Sequence, residues 1–212
     1  MPHHFAKFFR ACGRPLLAWF LGLSMGLSLL AAAPAALAAP QNPIAGVRFD
    51  AQADLAGQAL QLNGTGLRAV AWLKGYAAGL YLGQPAASTE AVLAQSGAKR
   101  LQMRMLVEVP TAEFVKAFHK GVGRNTPPEQ QAGLVERMER FDQMIRPLGK
   151  VLKGDAINID YLPGRGMLLS HNGRELGAAI AGDDFYDALL GVFIGPKPVD
   201  DTLKAALLGL RA

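Results

Sequence analysis

Arg68 sits in an otherwise apolar run, with Leu67 before it and Ala69, Val70 and Ala71 after it. A guanidinium in such surroundings either snorkels out of a surface strand or is buried against an anionic partner. Where it is buried, its fork of donors suits a carboxylate, and a tyrosine hydroxyl can add a further hydrogen bond. Tyr76 lies on the next expected strand, and Tyr81 and Tyr161 also fall in strands. The chemistry these residues offer is recognition of an anion, not bond-making. Spacing alone favours a structural role for Arg68.

Other constellations fall away on inspection. Gly64-Thr65-Gly66 lacks the third glycine of a dinucleotide loop, and no Gly-Lys-Ser/Thr follows, so a phosphate cradle is rejected. Its expected role is a turn whose glycines relieve backbone strain. The expected mature chain, residues 39–212, has no Gly-x-Ser-x-Gly and no His-Glu-x-x-His. Asp183 and Asp184 precede an expected helix and read as caps, and Lys153-Gly154-Asp155 reads as a turn. His119 and His171 have no neighbour at metal-ligand spacing. No cofactor or metal is expected.

The first forty residues set the expected compartment. Lys7, Arg10 and Arg14 precede an apolar run from Leu16 to Ala33, and Ala36-Leu37-Ala38 offers small residues for a signal peptidase. The sequence predicts a signal peptide over 1–38, cleaved after Ala38, and a periplasmic or secreted mature domain over 39–212. The alternative is a retained N-terminal anchor, because the run nears bilayer length. No later run approaches it, so no membrane insertion is expected after cleavage. The mature chain carries a net charge of +2 against +5 for the whole, with its basic residues scattered among acids. That balance argues against a nucleic-acid partner. Cys12, the one cysteine, leaves with the leader, so packing alone must stabilise the domain.

The elements that would position Arg68 can be read in order. An edge strand near Val47–Phe49 leads in, and a strand runs from Trp72 to Leu82. Ser88 or Thr89 starts a short helix ending near Gly97. From Arg100, residues Leu101, Met103, Met105, Val107 and Val109 alternate with polar ones, the mark of a half-buried strand. Thr111 is the expected N-cap of a helix carrying Phe114, Val115 and Phe118. Thr126-Pro127-Pro128-Glu129 reads as a capping box for a helix with Leu134, Met138, Phe141, Ile145 and Leu148 on one stripe. Ile157, Ile159 and Tyr161 mark a strand. Asn172-Gly173 then turns a hairpin whose return strand spans Arg174 to Ile180. Asp183 caps a helix ending at Gly195, and Asp200 or Asp201 caps the last one. Grouped antiparallel strands with helices against one face make an α+β domain.

Two stretches, 62–68 (LNGTGLR) and 74–82 (KGYAAGLYL), resemble the paired N-terminal motifs of chalcone isomerase-like proteins. Lys153-Gly154-Asp155, Asn172-Gly173, Asp184-Phe185 and the stretch from Leu203 to Gly209 agree in order, so the resemblance runs from about Val47 to Leu210. It implies an open-faced β-sandwich: a large curved antiparallel sheet covered by a layer of helices, with a ligand cleft between. It also implies that an arginine works at the site, polarising the substrate in the plant enzymes and holding a carboxylate in the fatty-acid-binding relatives. That arginine falls on Arg68. The next hydroxyl position falls on Tyr76, as in the binders, where the enzymes carry threonine. The enzymes' catalytic tyrosine falls on Phe114, and their asparagine falls near Gly121. Their hydroxyl residue on the Asp183–Ile194 helix has no equivalent among Gly191, Val192 and Phe193.

The resemblance turns the reading of Arg68 toward ligand binding. The leading expectation is a binding protein for a fatty acid or similar apolar carboxylate, clamped by Arg68 and Tyr76, with no catalytic residue. Phe114, Met103 and Met105 are its expected cleft walls, although each equally fits a plain core position. The alternatives are an isomerase of an unsaturated carbonyl compound, and an envelope protein whose cleft is vestigial.

Overall fold

The computed structural model describes residues 43–70 and 73–210. The expected leader and Trp72 lie outside the described residues. Among the described residues nine strands form: β1 Gln52–Leu55, β2 Gln58–Val70, β3 Leu73–Leu82, β4 Lys99–Met105, β5 Val109–Pro110, β6 Lys150–Val151, β7 Ala156–Leu162, β8 Gly166–His171 and β9 Arg174–Glu175. Seven make one curved antiparallel sheet in the order β1-β2-β3-β4-β7-β8-β9, while β5 and β6 pair separately. In the same described residues six α-helices accompany them: α1 Thr89–Leu93, α2 Thr111–Asn125, α3 Pro128–Gln131, α4 Val135–Ile145, α5 Asp183–Ile194 and α6 Asp201–Leu207. The α+β expectation holds. None of these helices is long and apolar enough to cross a membrane.

Alternation along the strands decides which face the helices cover. Leu101, Met103 and Met105 of β4, Ala78, Leu80 and Leu82 of β3, and Ile157, Ile159 and Tyr161 of β7 point to the main core. Phe118, Phe141, Leu189 and Phe193 meet them from the helices. The opposite face holds a smaller cluster around Phe49, Leu60, Tyr81 and Leu168. It also carries a polar row, in which Arg100 donates to both carboxylate oxygens of Asp160 at 2.8 Å.

Several local expectations need correction. The segment at Val47–Phe49 is not a strand; Val47 only bridges Ile44, and Phe49 packs against the strand backbone at Gly79. The alternating strand ends at Met105 rather than Val109, and the Leu106 N–H makes the last bond to the preceding strand, at the Gly75 carbonyl. Thr111 is not the cap of α2, since its hydroxyl donates to the Gly149 carbonyl at 3.0 Å and Pro110 takes the cap position.

No capping box forms at Thr126. The two prolines hold it extended as the end of α2, and its hydroxyl is buried without a partner. The single helix expected beyond it is broken by a 3-10 turn over Ala132–Leu134, where Gly133 weakens helical continuity, although the Leu134–Met138–Phe141–Ile145 stripe is buried as expected. The return strand stops at Glu175, since Gly177 takes a left-handed conformation at φ +66°. Gly182, not Asp183, caps α5. Asp200 does cap α6, accepting from the Leu203 N–H at 2.9 Å.

Candidate functional site

The motif that carries Arg68 is not a turn. Residues 62–68 lie inside β2, a strand of 13 residues, and β2 is where α6 docks. Asn63 is the extra residue of a bulge between Leu62 and Gly64, freeing its side chain from the ladder. Its amide donates to the Leu207 carbonyl at the end of α6 (2.8 Å) and to the Ala86 carbonyl (2.9 Å). Gly64 and Gly66 then face the helix directly. A Cβ at Gly64 would lie 2.1 Å from the Ala206 carbonyl oxygen, and one at Gly66 would lie 2.7 Å from a Leu203 methyl. These glycines serve close approach of a helix backbone, not turning.

Arg68 completes the same row at the other end of α6. Its Nη1 donates to Asp200 Oδ2 at 3.0 Å and to the Ala69 carbonyl at 2.6 Å. The side chains keep 23% and 18% of their surface exposed, so the pair is largely but not wholly desolvated. The anionic partner foreseen for a buried arginine is therefore supplied by the chain itself. Among the described residues, Nε and Nη2 carry no partner.

Tyr76 is the direct cross-strand neighbour of Arg68, and Met105 is the neighbour of Tyr76 on its far side. Such pairs hold their Cβ atoms about 4.5–5.5 Å apart, within reach of side-chain contact. Burial pushes the Tyr76 hydroxyl well above the usual tyrosine range. The Arg68 charge works against that shift and Asp200 adds to it. One row on the helix-facing side thus reads Arg68, Tyr76, Met105. The next row reads Gly66, Ala78, Met103, Ile157.

Phe114 projects from α2 into the same core and stacks obliquely on Phe118 at 4.9 Å between centroids. Met103, Met105 and Phe114 are all buried in the main core. The structure thus places all five expected site residues on the helix-facing side of the sheet, with Arg68 and Tyr76 adjacent. Gly121 on α2 has no room for a side chain, because a Cβ there would sit 2.6 Å from a Val192 methyl.

Two residues central to this geometry were invisible as site residues in the sequence. Asp200 read only as a helix cap, and nothing local tied it to an arginine 132 positions earlier. Asn63 read as part of a turn. The one available signal was the Asn-Gly-x-Gly spacing itself, which suits a bulge and a close approach as well as a turn. Among the described residues, no group of three or more His, Cys, Asp or Glu side chains is placed to hold a metal ion.

The architecture has counterparts of known structure. The chain is similar in fold to the crystal structure of a fatty-acid binding protein of Arabidopsis thaliana, with a TM-score of 0.58 and 16% identity over 77% of this chain and 92% of that one. No curated protein matches it in sequence. The family described as chalcone isomerase-like does match, over residues 41–209. With the β2–β3 motifs, the curved sheet and its helix layer already in place, that match settles the lineage: this chain belongs to the chalcone isomerase-like family.

Proposed function

We propose that this protein binds a fatty acid or similar apolar carboxylate, and that it does so outside the cytoplasm after removal of residues 1–38. The observation that carries the reading is the cross-strand pairing of Arg68 with Tyr76 at the edge of an apolar sheet face. A carboxylate placed there would meet the remaining guanidinium donors and a tyrosine hydroxyl that burial keeps protonated. Met105, Met103 and Phe114 continue the apolar core beyond this pair, and methionine adapts readily to irregular apolar ligands. The similarity in fold to a fatty-acid binding protein supports the same reading. Lipid extraction from protein purified out of its native envelope, followed by mass spectrometry, is expected to return carboxylate lipids in near-stoichiometric amount. N-terminal sequencing of the same sample should begin at Ala39. An empty extract, or a chain starting at Met1, counts against the respective half of the proposal.

An isomerase would need a proton donor or a water-holding hydroxyl opposite Arg68. Phe114 supplies neither, and Val192 closes the space at Gly121. Closure of a chalcone to a flavanone by the purified protein is therefore expected to stay at the spontaneous rate. Stereoselective turnover that disappears on denaturation would restore the enzyme reading.

A further inference from the structure

Lys99 opens β4 on the helix-facing side, in line with Leu101, Met103 and Met105. Only 3% of its surface is exposed. Taking an ammonium out of water costs several kcal/mol, so a buried lysine is ordinarily found against a carboxylate. Here, among the described residues, no carboxylate is within ion-pair distance. The Lys99 ammonium instead lies 4.7 Å from the ring centroid of Tyr161, its cross-strand partner on β7. Both side chains line a cleft of about 610 Å3, with Asp183 and Asp187 from α5 and with Leu93 and Pro163 among its walls. That volume falls within the range of small-molecule sites. Met105, beside the Arg68–Tyr76 pair, is six residues further along β4, or about 20 Å at the rise of a strand. The cleft is therefore separate from the proposed clamp.

The charges in the cleft select the kind of ligand. An anion would face Asp183 and Asp187, and a cation would face Lys99. An uncharged polar molecule meets neither objection. Burial holds the Lys99 ammonium below the usual lysine range, against the opposing pull of Asp187 and Asp183. Burial likewise pushes the Asp187 carboxyl up, against the pull of Lys99. A buried amine and a carboxyl, each with its charged form disfavoured by burial, share this one cleft, and such a pair suits imine chemistry.

The geometry points to Lys99 as a nucleophilic amine that captures a small uncharged aldehyde or ketone in this cleft as a Schiff base, with Asp187 as the acid. The neutral Nζ adds to the carbonyl carbon, and its proton passes to the carbonyl oxygen to give a carbinolamine. Asp187 protonates the departing hydroxyl, water leaves, and the C=N bond forms. The iminium returns the proton, so one carbonyl and one amine become one imine and one water with no oxidant or reductant. The Nζ itself stands over the Tyr161 ring, and Leu93 and Pro163 are among the cleft walls.

The test is to incubate the full chain at neutral pH with hexanal and sodium cyanoborohydride, then map the modified lysines by peptide mass spectrometry. Lys99 is expected to carry most of the reduced adduct, ahead of exposed lysines such as Lys116 and Lys150, and Lys99→Arg is expected to lose it. Asp187→Asn should slow the labelling by about a hundredfold, the usual scale of general-acid assistance. Adducts confined to the exposed lysines of the wild-type protein overturn the proposal without recourse to any variant. An unchanged labelling rate in D187N removes Asp187 from the chemistry.

Discussion

Gly64→Ala is expected to lower the melting temperature by up to about 10 °C, more than Gly66→Ala on the same strand. The added Cβ would meet three backbone atoms of α6 at once: the Ala206 oxygen at 2.1 Å, the Leu207 oxygen at 2.7 Å and the Leu207 carbon at 2.9 Å. None of these is the flexible end of a side chain. The helix end is held against withdrawal by Asn63, whose amide grips the Leu207 carbonyl, and by Leu203 and Leu207 buried in the core. Overpacking against fixed atoms costs about 1–3 kcal/mol, and in a domain of this size each kcal/mol moves the midpoint by roughly 2–4 °C. The entropy that alanine removes from the unfolded chain offsets only about 0.4–1 kcal/mol of that. Gly66→Ala is the internal comparison. Its closest obstacles are a Leu203 methyl at 2.7 Å and the Ala206 Cβ at 2.9 Å, side-chain rather than backbone atoms, so its effect should be the smaller of the two. Thermal unfolding of both variants followed by circular dichroism decides the matter. Equal midpoints for G64A and the wild type would mean that the end of α6 does not pack directly on Gly64.

This seam shows where a sequence stops being legible. Strand β4 could be read directly because its alternation has a single physical cause, one face buried and one half-buried. Strand β7 could be read because apolar and polar residues alternate along it, although both faces are buried. Helix α5 could be read because its long apolar residues are bounded by acids before and Gly195-Pro196 after. β2 could not, because its glycines answer a demand from α6, about 140 residues later, and glycine looks the same whether it serves a turn or a close approach. Thr126 misled for a related reason. Its spacing to Glu129 matches a capping box, but the prolines at 127 and 128 commit its backbone to an extended path first. Of the site, Arg68 and Tyr76 could be named from motif likeness, and the strand register makes them neighbours. Asp200 could not, since a helix cap gives no sign that its second oxygen serves an arginine on the sheet.

That second oxygen allows the clamp to be tested apart from the fold. Arg68→Ala should weaken fatty-acid binding by roughly ten- to a hundredfold, the equivalent of about 1.5–3 kcal/mol for a charged hydrogen bond. It should also lower the melting temperature, because it strands a largely buried Asp200 without its cation. Loss of binding in that variant is therefore open to a structural reading. Asp200→Asn is not. Asparagine caps a helix as well as aspartate does, so its oxygen can still accept from the Leu203 N–H. What it loses is the negative charge that occupies Arg68. If the guanidinium holds a ligand carboxylate, D200N removes the competitor, and affinity should rise by about tenfold as the melting temperature falls slightly. If Arg68 only anchors α6, D200N should lower the melting temperature and leave affinity where it was. Lys in place of Arg68 should recover little binding, since a point charge lacks the forked geometry. Calorimetric titration of delipidated wild type, R68A, R68K and D200N with a long-chain fatty acid reads all four. Unchanged affinity in both R68A and D200N would leave Arg68 as the strut that fixes α6 to β2, and would remove the carboxylate clamp.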